Sequence, residues 1–162
     1  MLKIVLATRN AGKIAEIQSI INNSYLKTKV EIETLLTYPG IPEIVEDGAT
    51  FSENAAKKAI TVAKFTGHIV VADDSGLEVD ALGGAPGVYS ARFAGEDATD
   101  SENIKKLMKL LKDIPSENRG ARFVCVIAIA SPSGEVNFVE GECRGVIAAG
   151  ECGTSGFGYD PV

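Results

Sequence analysis

One short stretch of this sequence carries residues that could hold a chain of phosphates. The segment LATRNAGK, residues 6–13, follows an apolar run and offers Thr8, Asn10 and Lys13 where a strand is predicted to turn into a helix. The first turn of a helix has free backbone N–H groups and the positive end of the helix dipole, so it attracts anions. These residues predict a triphosphate-binding turn, and the alternative is an ordinary capped helix with a surface lysine.

This turn differs from a P-loop, which requires G-x-x-x-x-G-K-[ST]. Gly12 and Lys13 match the end of that pattern, but Ala7 stands at the first glycine position and Ile14 at the position of the magnesium-binding hydroxyl. The turn therefore supplies no metal ligand of its own, and a P-loop phosphotransferase is disfavoured. A metal ion that binds the phosphates needs acids from elsewhere in the chain.

Acidic residues occur in two places that could hold such a metal. Asp73 and Asp74 follow the apolar run 69–72, which predicts a central strand, and Glu46 and Asp47 lie in a Pro/Gly-rich loop. Ligands bind beyond the carboxyl ends of strands in open α/β sheets, and adjacent strand residues point to opposite faces. Because Mg²⁺ keeps several waters, one or two carboxylates with phosphate oxygens suffice. The alternative to a metal site is that these acids are ordinary charged residues of a loop and a turn.

Lys58 is a second cation that could reach a phosphate. It lies four residues after Asn54, hence on the same face of a predicted helix. Thr50 and Glu53 have the spacing of a capping box, which predicts where this helix begins.

The segment SGFGYDP, residues 155–161, has the composition of a nucleobase pocket. Glycines such as Gly158 let the backbone approach a ligand, and the rings of Phe157 and Tyr159 could stack on a base. The Asp160 carboxylate could accept a hydrogen bond from N1–H of a 6-keto purine, which adenine lacks and guanine shares. The alternative is a tight loop with two core aromatic residues.

The elements that position these residues mix strands and helices, which predicts an α/β fold with a mixed sheet. Strands are predicted at residues 2–7, 29–36 and 69–72 and in a hairpin of 121–130 with 135–150, and residues 73–100 read as irregular. Three helices are predicted, with inward faces formed by Ile14, Ile17, Ile20 and Ile21, by Ala55, Ala59, Val62 and Ala63, and by Leu107, Leu110 and Leu111.

Composition limits the classes of function. A chain of 162 residues with a net charge of −6 predicts a single domain, residues 1–162, with a small-molecule site and no broad nucleic-acid or membrane surface. A single histidine and three scattered cysteines argue against a zinc site and a disulfide framework, and Cys125 is predicted to lie in the core. No signal peptide or membrane-spanning segment is visible, and a reducing cytoplasm is expected.

Taken together, these stretches resemble the inosine triphosphate pyrophosphatase family, whose enzymes hydrolyse aberrant purine nucleoside triphosphates. LATRNAGK, EDGATFSENAAKKA, ADDSGLEVDALGGAPGVYSAR, ARFVCV and GFGYDP match in the family's order. The resemblance implies an elongated, twisted mixed β-sheet flanked by helices, with two lobes and a cleft between them, and a homodimer. It also implies Mg²⁺-dependent hydrolysis of ITP, dITP or XTP to the monophosphate and pyrophosphate.

The resemblance assigns roles to individual residues. It places the phosphates on Thr8, Arg9, Asn10, Lys13 and Lys58 and the metal on Glu46, Asp73 and Asp74. Asp74 is also the implied base, and with Lys13 and Lys58 it forms the implied catalytic set. Ser75 is expected to touch the substrate, and base recognition is implied for Phe157, Gly158, Tyr159 and Asp160.

One departure from the family concerns the end of the sequence. Family members continue past this loop with another lysine and a Ser-His-Arg motif that contact the nucleotide, and His68 does not replace that histidine. The domain is therefore expected to lack the family's C-terminal segment and to be weakly active or inactive. Two alternatives stay open, a nucleotide-binding fragment without catalysis and a pyrophosphatase acting on pyrimidine or modified nucleotides.

Overall fold

The computed structural model describes all 162 residues and contains one mixed sheet. Its five strands lie in the order β2-β1-β3-β4-β5. They are β1 (Leu2–Leu6), β2 (Val30–Thr34), β3 (Ile69–Val79), β4 (Gly120–Ala130) and β5 (Val136–Val146). β1 runs parallel to both β2 and β3, and β4 and β5 form the predicted hairpin. This arrangement confirms the predicted α/β class with a mixed sheet.

Three α-helices accompany the sheet, and each begins at a polar cap. They are α1 (Ala11–Asn22), α2 (Phe51–Thr66) and α3 (Asp100–Leu110). Asn10 caps α1 as predicted, because its side chain accepts a hydrogen bond from the Lys13 N–H at 3.1 Å. Thr50 caps α2 as predicted, but the Glu53 carboxylate accepts from the N–H of Ala49, one residue before the cap, at 2.7 Å.

The chain divides into two compact units. The first consists of residues 1–74 and 126–139, and the second of residues 75–125 and 140–162. The first unit buries Val5 and Leu6 of β1 together with the predicted inner face of α2, Ala55, Ala59, Val62 and Ala63. The core of the second unit consists of Leu77, Val79, Ile104, Leu107, Leu111, Ala121, Ile147 and Tyr159.

The prediction of a buried side chain is wrong at Ile20 and at Leu110. The side chains of Ile20 and Leu110 are exposed at 68% and 49% of their surface. Each lies six residues after the first member of an apolar stripe, Ile14 or Ile104. Six residues rotate a side chain about 120° away from that member at 3.6 residues per turn, so these two residues face solvent.

The prediction that residues 73–100 are irregular is wrong for their first part. β3 continues through the aspartate pair to Val79. Leu77 and Val79 are buried while Glu78 between them is only half-buried, which is the alternation of a strand, and Gly76 obscured this pattern in the sequence. β2 is shorter than predicted, because Leu35–Thr37 forms a 3₁₀ turn.

The cysteines agree with the prediction of unpaired thiols but differ from it in the burial of one residue. All three cysteines are unbridged, as predicted, but Cys125 is half-buried rather than fully in the core. None of the helices combines the length and the apolar character that crossing a bilayer requires.

Candidate active site

The turn between β1 and α1 has the geometry expected of an anion-binding helix start. The N–H of Ala7 donates to the carbonyl of Val71 at 2.8 Å, which holds the turn to β3. The N–H of Asn10 donates to Thr8 Oγ1 at 3.2 Å, and Asn10 in turn caps α1. No acidic residue lies in the first turn of α1, so the positive end of this helix is not neutralised locally. Arg9 is exposed beside it.

The structure brings Lys13 of this turn onto Asp73 of β3. Lys13 Nζ forms an ion pair with Asp73 Oδ2. Asp73 is buried, and its second oxygen, Oδ1, has no hydrogen-bond partner in the protein. Buried polar atoms without a partner are uncommon and point to a missing ligand, water or ion. Asp73 Oδ1 is thus a buried acceptor next to the phosphate turn.

Asp74, the next residue of β3, is held by α2 instead of α1. The side-chain amide Nδ2 of Asn54 donates to Asp74 Oδ2 at 3.0 Å. Burial raises the pKa of the Asp74 carboxyl above its ordinary value, although the charge of Lys58 and the hydrogen bond from Asn54 act in the opposite direction. The two neighbouring aspartates therefore serve two different helices, as the alternation of a strand requires.

The acidic loop, residues 45–48, is bound to α2 by three contacts. Glu46 Oε1 lies 3.2 Å from Lys58 Nζ, and Asp47 Oδ1 lies 2.5 Å from Lys57 Nζ. The N–H of Gly48 donates to Asn54 Oδ1 at 2.8 Å. The charge of Glu46 also raises the pKa of Asp74, because a neighbouring negative charge disfavours the ionised carboxyl. The acidic loop and β3 thus present acids to the same region of the first unit.

These acids do not form a metal cage by themselves. No three residues among histidine, cysteine, aspartate and glutamate are arranged to hold a metal ion. The candidates are the carboxylates of Asp73, Asp74 and Glu46. Such a site suits a hard cation that takes its other ligands from water and substrate, and does not suit a structural zinc.

The hydrogen bond from Asn54 to Asp74 was not predicted from the sequence. There, Asn54 served only to define the helix face that carries Lys58. A signal for it is present. The pentapeptide T-x-S-E-N occurs at residues 50–54 and again at 99–103, each time at the start of a helix. Asn103 Oδ1 accepts from the N–H of Ala94 at 2.7 Å, and its Nδ2 donates to the carbonyl of Ala91 at 3.0 Å. In both copies the buried asparagine ties the preceding segment to its helix.

The C-terminal segment lies in the second unit, where Tyr159 anchors it. The ring of Tyr159 is part of the core, and its hydroxyl donates to the carbonyl of Ser90 at 2.8 Å. Burial raises the pKa of this hydroxyl. The ring of Tyr159 is thus buried in this structure, whereas Phe157 is half-buried and Asp160 is exposed.

Three hydrogen bonds that involve side chains shape this segment. Besides the bond from Tyr159, the N–H of Gly158 donates to Asp100 Oδ2 at 2.8 Å. The N–H of Phe157 donates to Asp160 Oδ2 at 2.9 Å. The segment is therefore a defined turn tied to the start of α3.

Two further residues lie where the sequence indicated. Ser75 directly follows Asp74 in β3 and is half-buried. His68 precedes β3, and its ring packs edge-on against the ring of Tyr38 with centroids 6.3 Å apart. His68 therefore has an aromatic neighbour in Tyr38.

Comparison with known proteins gives consistent matches. The Ham1 family profile matches residues 4–162. The chain is 51% identical over 162 residues to a dITP/XTP pyrophosphatase from Shouchella clausii, covering all of this chain and 79% of that protein. It is 52% identical to a dITP/XTP pyrophosphatase from Listeria monocytogenes, covering all of this chain and 78% of that protein.

Solved structures agree with the sequence matches. A HAM1 protein from Coxiella burnetii superimposes with a TM-score of 0.88 at 41% identity, covering all of this chain and 81% of that one. A nucleoside-triphosphatase, dITP/XTP pyrophosphatase, from Mycobacterium abscessus gives 0.82 at 45% identity, covering 99% of this chain and 82% of that one. With sequence and fold matched over nearly its whole length, the protein belongs to the Ham1 family.

Proposed function

We propose that the protein hydrolyses aberrant purine nucleoside triphosphates, such as dITP, XTP and ITP, to the monophosphate and pyrophosphate, and so removes them from the nucleotide pool. Relatives of about half-identical sequence over the full chain are named dITP/XTP pyrophosphatases. The observation that carries the proposal is the grouping of Lys13 and Lys58 with Asp73 and Asp74 next to a helix start. Cations for a polyphosphate and acids for a metal and a water are thus present in one unit.

We propose Mg²⁺ as the cofactor, with one or two protein ligands drawn from Asp74, Asp73 and Glu46. The buried, unpartnered Oδ1 of Asp73 and the burial of Asp74 both favour a cation there. Mg²⁺ needs few protein carboxylates, because it completes its shell with water and phosphate oxygens. When bound, Mg²⁺ neutralises charge on the triphosphate and lowers the pKa of a coordinated water.

The protein's own residues have separable roles in the proposed reaction. The backbone at the start of α1, with Thr8, Arg9 and Asn10, binds phosphate oxygens, and Lys13 and Lys58 add charge to that binding. Positioning of the triphosphate in line with the attacking water accounts for much of the rate in such reactions.

Asp74 is the proposed general base. It accepts a proton from a water that attacks the α-phosphorus, the bond from that phosphorus to the bridging oxygen breaks, and pyrophosphate leaves. The hydrogen bond from Asn54 Nδ2 at 3.0 Å holds the Asp74 carboxylate in a fixed orientation, and a general base needs such fixed geometry within reach of the proton that it accepts. Ser75, which follows Asp74, is proposed to touch the substrate.

Base recognition is proposed for the C-terminal segment. Phe157 is the ring available for stacking, Gly158 lets the backbone approach the base, and Asp160 is the acceptor for N1–H of a 6-keto purine. Tyr159 contributes by anchoring the segment through its buried hydroxyl.

The test is a substrate panel with pyrophosphate as the readout. With Mg²⁺ present, we expect dITP, XTP and ITP to be hydrolysed much faster than dTTP or UTP, and GTP in the same panel measures whether guanine, which shares N1–H, is also accepted. Preference for dTTP or UTP would favour a pyrimidine nucleotide pyrophosphatase, and tight ITP binding without pyrophosphate would favour a binding module. Transfer of phosphate to an acceptor other than water would contradict hydrolysis itself.

Asp74→Asn is the matched variant for the same assay. It keeps the size of the side chain and an acceptor for the Asn54 amide, but it removes the base and the charge. We expect kcat to fall by roughly 10²–10⁴-fold, the usual contribution of a general base. If Asp74→Asn releases pyrophosphate near the wild-type rate, the role of Asp74 is wrong.

We propose a homodimer, which the family resemblance implies, and a cytoplasmic location, which the cysteine content favours. Light scattering on the purified protein tests the first, and fractionation of cells tests the second. A monomer at micromolar concentration would contradict the first.

A further inference from the structure

We propose that Asn54 is a positioning residue for the reaction: its side-chain amide joins the Asp74 carboxylate to the backbone of the acidic loop and so fixes Asp74 and Glu46 relative to each other. This inference rests on the proposed function, because it concerns the carboxylates of that site. Nothing in the proposed chemistry requires Asn54 to touch the substrate.

The geometry of the amide allows one arrangement. Asn54 is 1% exposed, so its polar atoms have no access to solvent. Its Oδ1 accepts from the Gly48 N–H at 2.8 Å, and its Nδ2 donates to Asp74 Oδ2 at 3.0 Å. A flipped amide would place Nδ2 against an N–H donor and Oδ1 against a carboxylate, so both hydrogen bonds would be lost. The orientation of Asn54 is thus fixed by both partners.

The acidic loop is fitted tightly against this amide. A Cβ added at Gly48 would lie 2.6 Å from Asn54 Oδ1 and 2.8 Å from Glu53 Cβ. Gly48 is two residues from Glu46, whose carboxylate pairs with Lys58 on the same helix. The acidic loop therefore cannot shift toward α2 without displacing the amide that holds Asp74.

The second copy of the pentapeptide shows which part of this arrangement is specific to the site. Asn103 occupies the same position in α3 as Asn54 does in α2, the fourth helical residue, and it is 2% exposed. Its Oδ1 also accepts a backbone N–H, but its Nδ2 donates to a backbone carbonyl, that of Ala91. The bond from loop to helix is common to both copies. The bond to a carboxylate belongs to Asn54 alone.

Asn103 supplies a matched control for Asn54 within the same protein. Asn54→Ala and Asn103→Ala remove the same buried group at the same helix position, so both are expected to lower the urea midpoint of unfolding. Only Asn54→Ala is expected to weaken Mn²⁺ binding to the nucleotide-free protein, by about 10–100-fold, the usual effect of losing a group that orients a metal ligand. Electron paramagnetic resonance of free Mn²⁺ measures this affinity without any turnover.

The kinetic readout separates positioning from substrate binding. In the Asn54→Ala protein we expect kcat for dITP to fall at least tenfold while the KM for dITP changes much less, because the phosphate turn is intact. Asn103→Ala should keep both values. Gly48→Ala removes no polar side chain, but its Cβ displaces the Asn54 amide. It should therefore reproduce the effect of Asn54→Ala and should not add to that effect in the double variant. If Asn54→Ala does not fold, the Mn²⁺ affinity and the kcat of Gly48→Ala test the proposal.

The results that would overturn the inference are distinct from those that would overturn the proposed function. Equal Mn²⁺ affinity and equal kcat in Asn54→Ala and Asn103→Ala would show that Asn54 is merely structural. A wild-type protein that binds no Mn²⁺ would overturn the inference as well. A wild-type protein that binds Mn²⁺ but releases no pyrophosphate from any triphosphate would overturn the function, while the Mn²⁺ titration would still decide the role of Asn54.

Discussion

Lys13→Met is predicted to destabilise the protein because it leaves a buried carboxylate without its counter-ion. Asp73 is 5% exposed. Its Oδ2 forms the ion pair with Lys13 Nζ, and its Oδ1 has no hydrogen-bond partner in the protein. Methionine has a similar length and keeps the apolar part of the lysine contact. The lost free energy therefore comes from the unpaired charge and not from a cavity.

The size of the effect follows from the burial of the two side chains. Removing one partner of a fully buried pair costs about 3–5 kcal/mol. The Lys13 side chain is 20% exposed, so water compensates in part and the expected loss is about 2–3 kcal/mol. For a chain of this size that corresponds to a fall in Tm of about 4–12 °C.

Urea unfolding and calorimetry measure this loss, and a second substitution tests its cause. Adding Asp73→Asn to Lys13→Met removes the unpaired charge, so most of the lost stability should return. The KM for dITP should stay raised in the double variant, since no cation has been restored to the phosphate turn. Lys57→Met is the control, because its pair with Asp47 is exposed and is expected to contribute little.

Two results would refute this reasoning. If Lys13→Met is as stable as the wild type, Asp73 is not held as a buried charge by Lys13. If Asp73→Asn fails to restore stability in the Lys13→Met background, the loss has another origin, such as the packing of the lysine stem.

Two further predictions concern the second unit. The hydrogen bonds from the Thr99 N–H and hydroxyl lower the pKa of Glu102 in the folded state, so its contribution to stability is present above the ordinary carboxyl pKa of about 4 and is lost as the pH falls through the lower folded value. Glu102→Gln should therefore be less stable than the wild type near neutral pH, and this difference should shrink at acidic pH. A difference in urea midpoint that stays the same from neutral to acidic pH would contradict this role of Glu102. Gly156→Ala should raise the KM for dITP, since Gly156 has φ +88° and a Cβ there would overlap the Asp160 carboxylate. Gly153→Ala has a similar φ of +85° with open space around it and is the control, so equal KM values in the two variants would remove Asp160 from base recognition.

Local signals account for the elements that the sequence predicted well. The start of α1 follows from Asn10, whose side chain accepts the Lys13 N–H in the structure. The inner face of α2 follows from alanines and Val62 at helical spacing, all of them fully buried. The hairpin follows from two apolar segments separated by SPSG. Each of these signals is contained in a few consecutive residues.

The errors came from features that depend on distant parts of the chain. The length of β3 depends on the packing of Leu77 and Val79 in the second unit's core, which outweighs the low strand propensity of Gly76. The role of Asn54 depends on a partner 20 residues away, Asp74, and a buried asparagine looks like any polar helix residue in a sequence. From the composition of its segment, the ring of Tyr159 could lie either in a core or in a pocket. In the structure it packs in the core of the second unit.

The position of the aspartate pair explains how a continuous strand can carry a site. In open sheets, ligands bind beyond the ends of strands, yet Asp73 and Asp74 lie inside β3. The neighbouring strand provides the explanation, since β1 pairs with β3 only from Ile4 with Ile69 to Leu6 with Val71. Beyond Val71 the chain of β1 leaves to form the phosphate turn. The aspartates therefore lie next to the space where β1 has ended.

The register of β3 then decides which aspartate serves which helix. Asp73 contacts Lys13 of α1 and Asp74 contacts Asn54 of α2, and a shift of one residue would exchange the two faces of the strand. Such a shift would also turn Val70, which is fully buried, to the opposite face of the sheet. Fully burying a valine contributes roughly 1.5–3 kcal/mol, so core packing strongly disfavours the shifted register. The apolar residues of the strand thus determine the assignment of the two acids, although none of them takes part in the proposed chemistry.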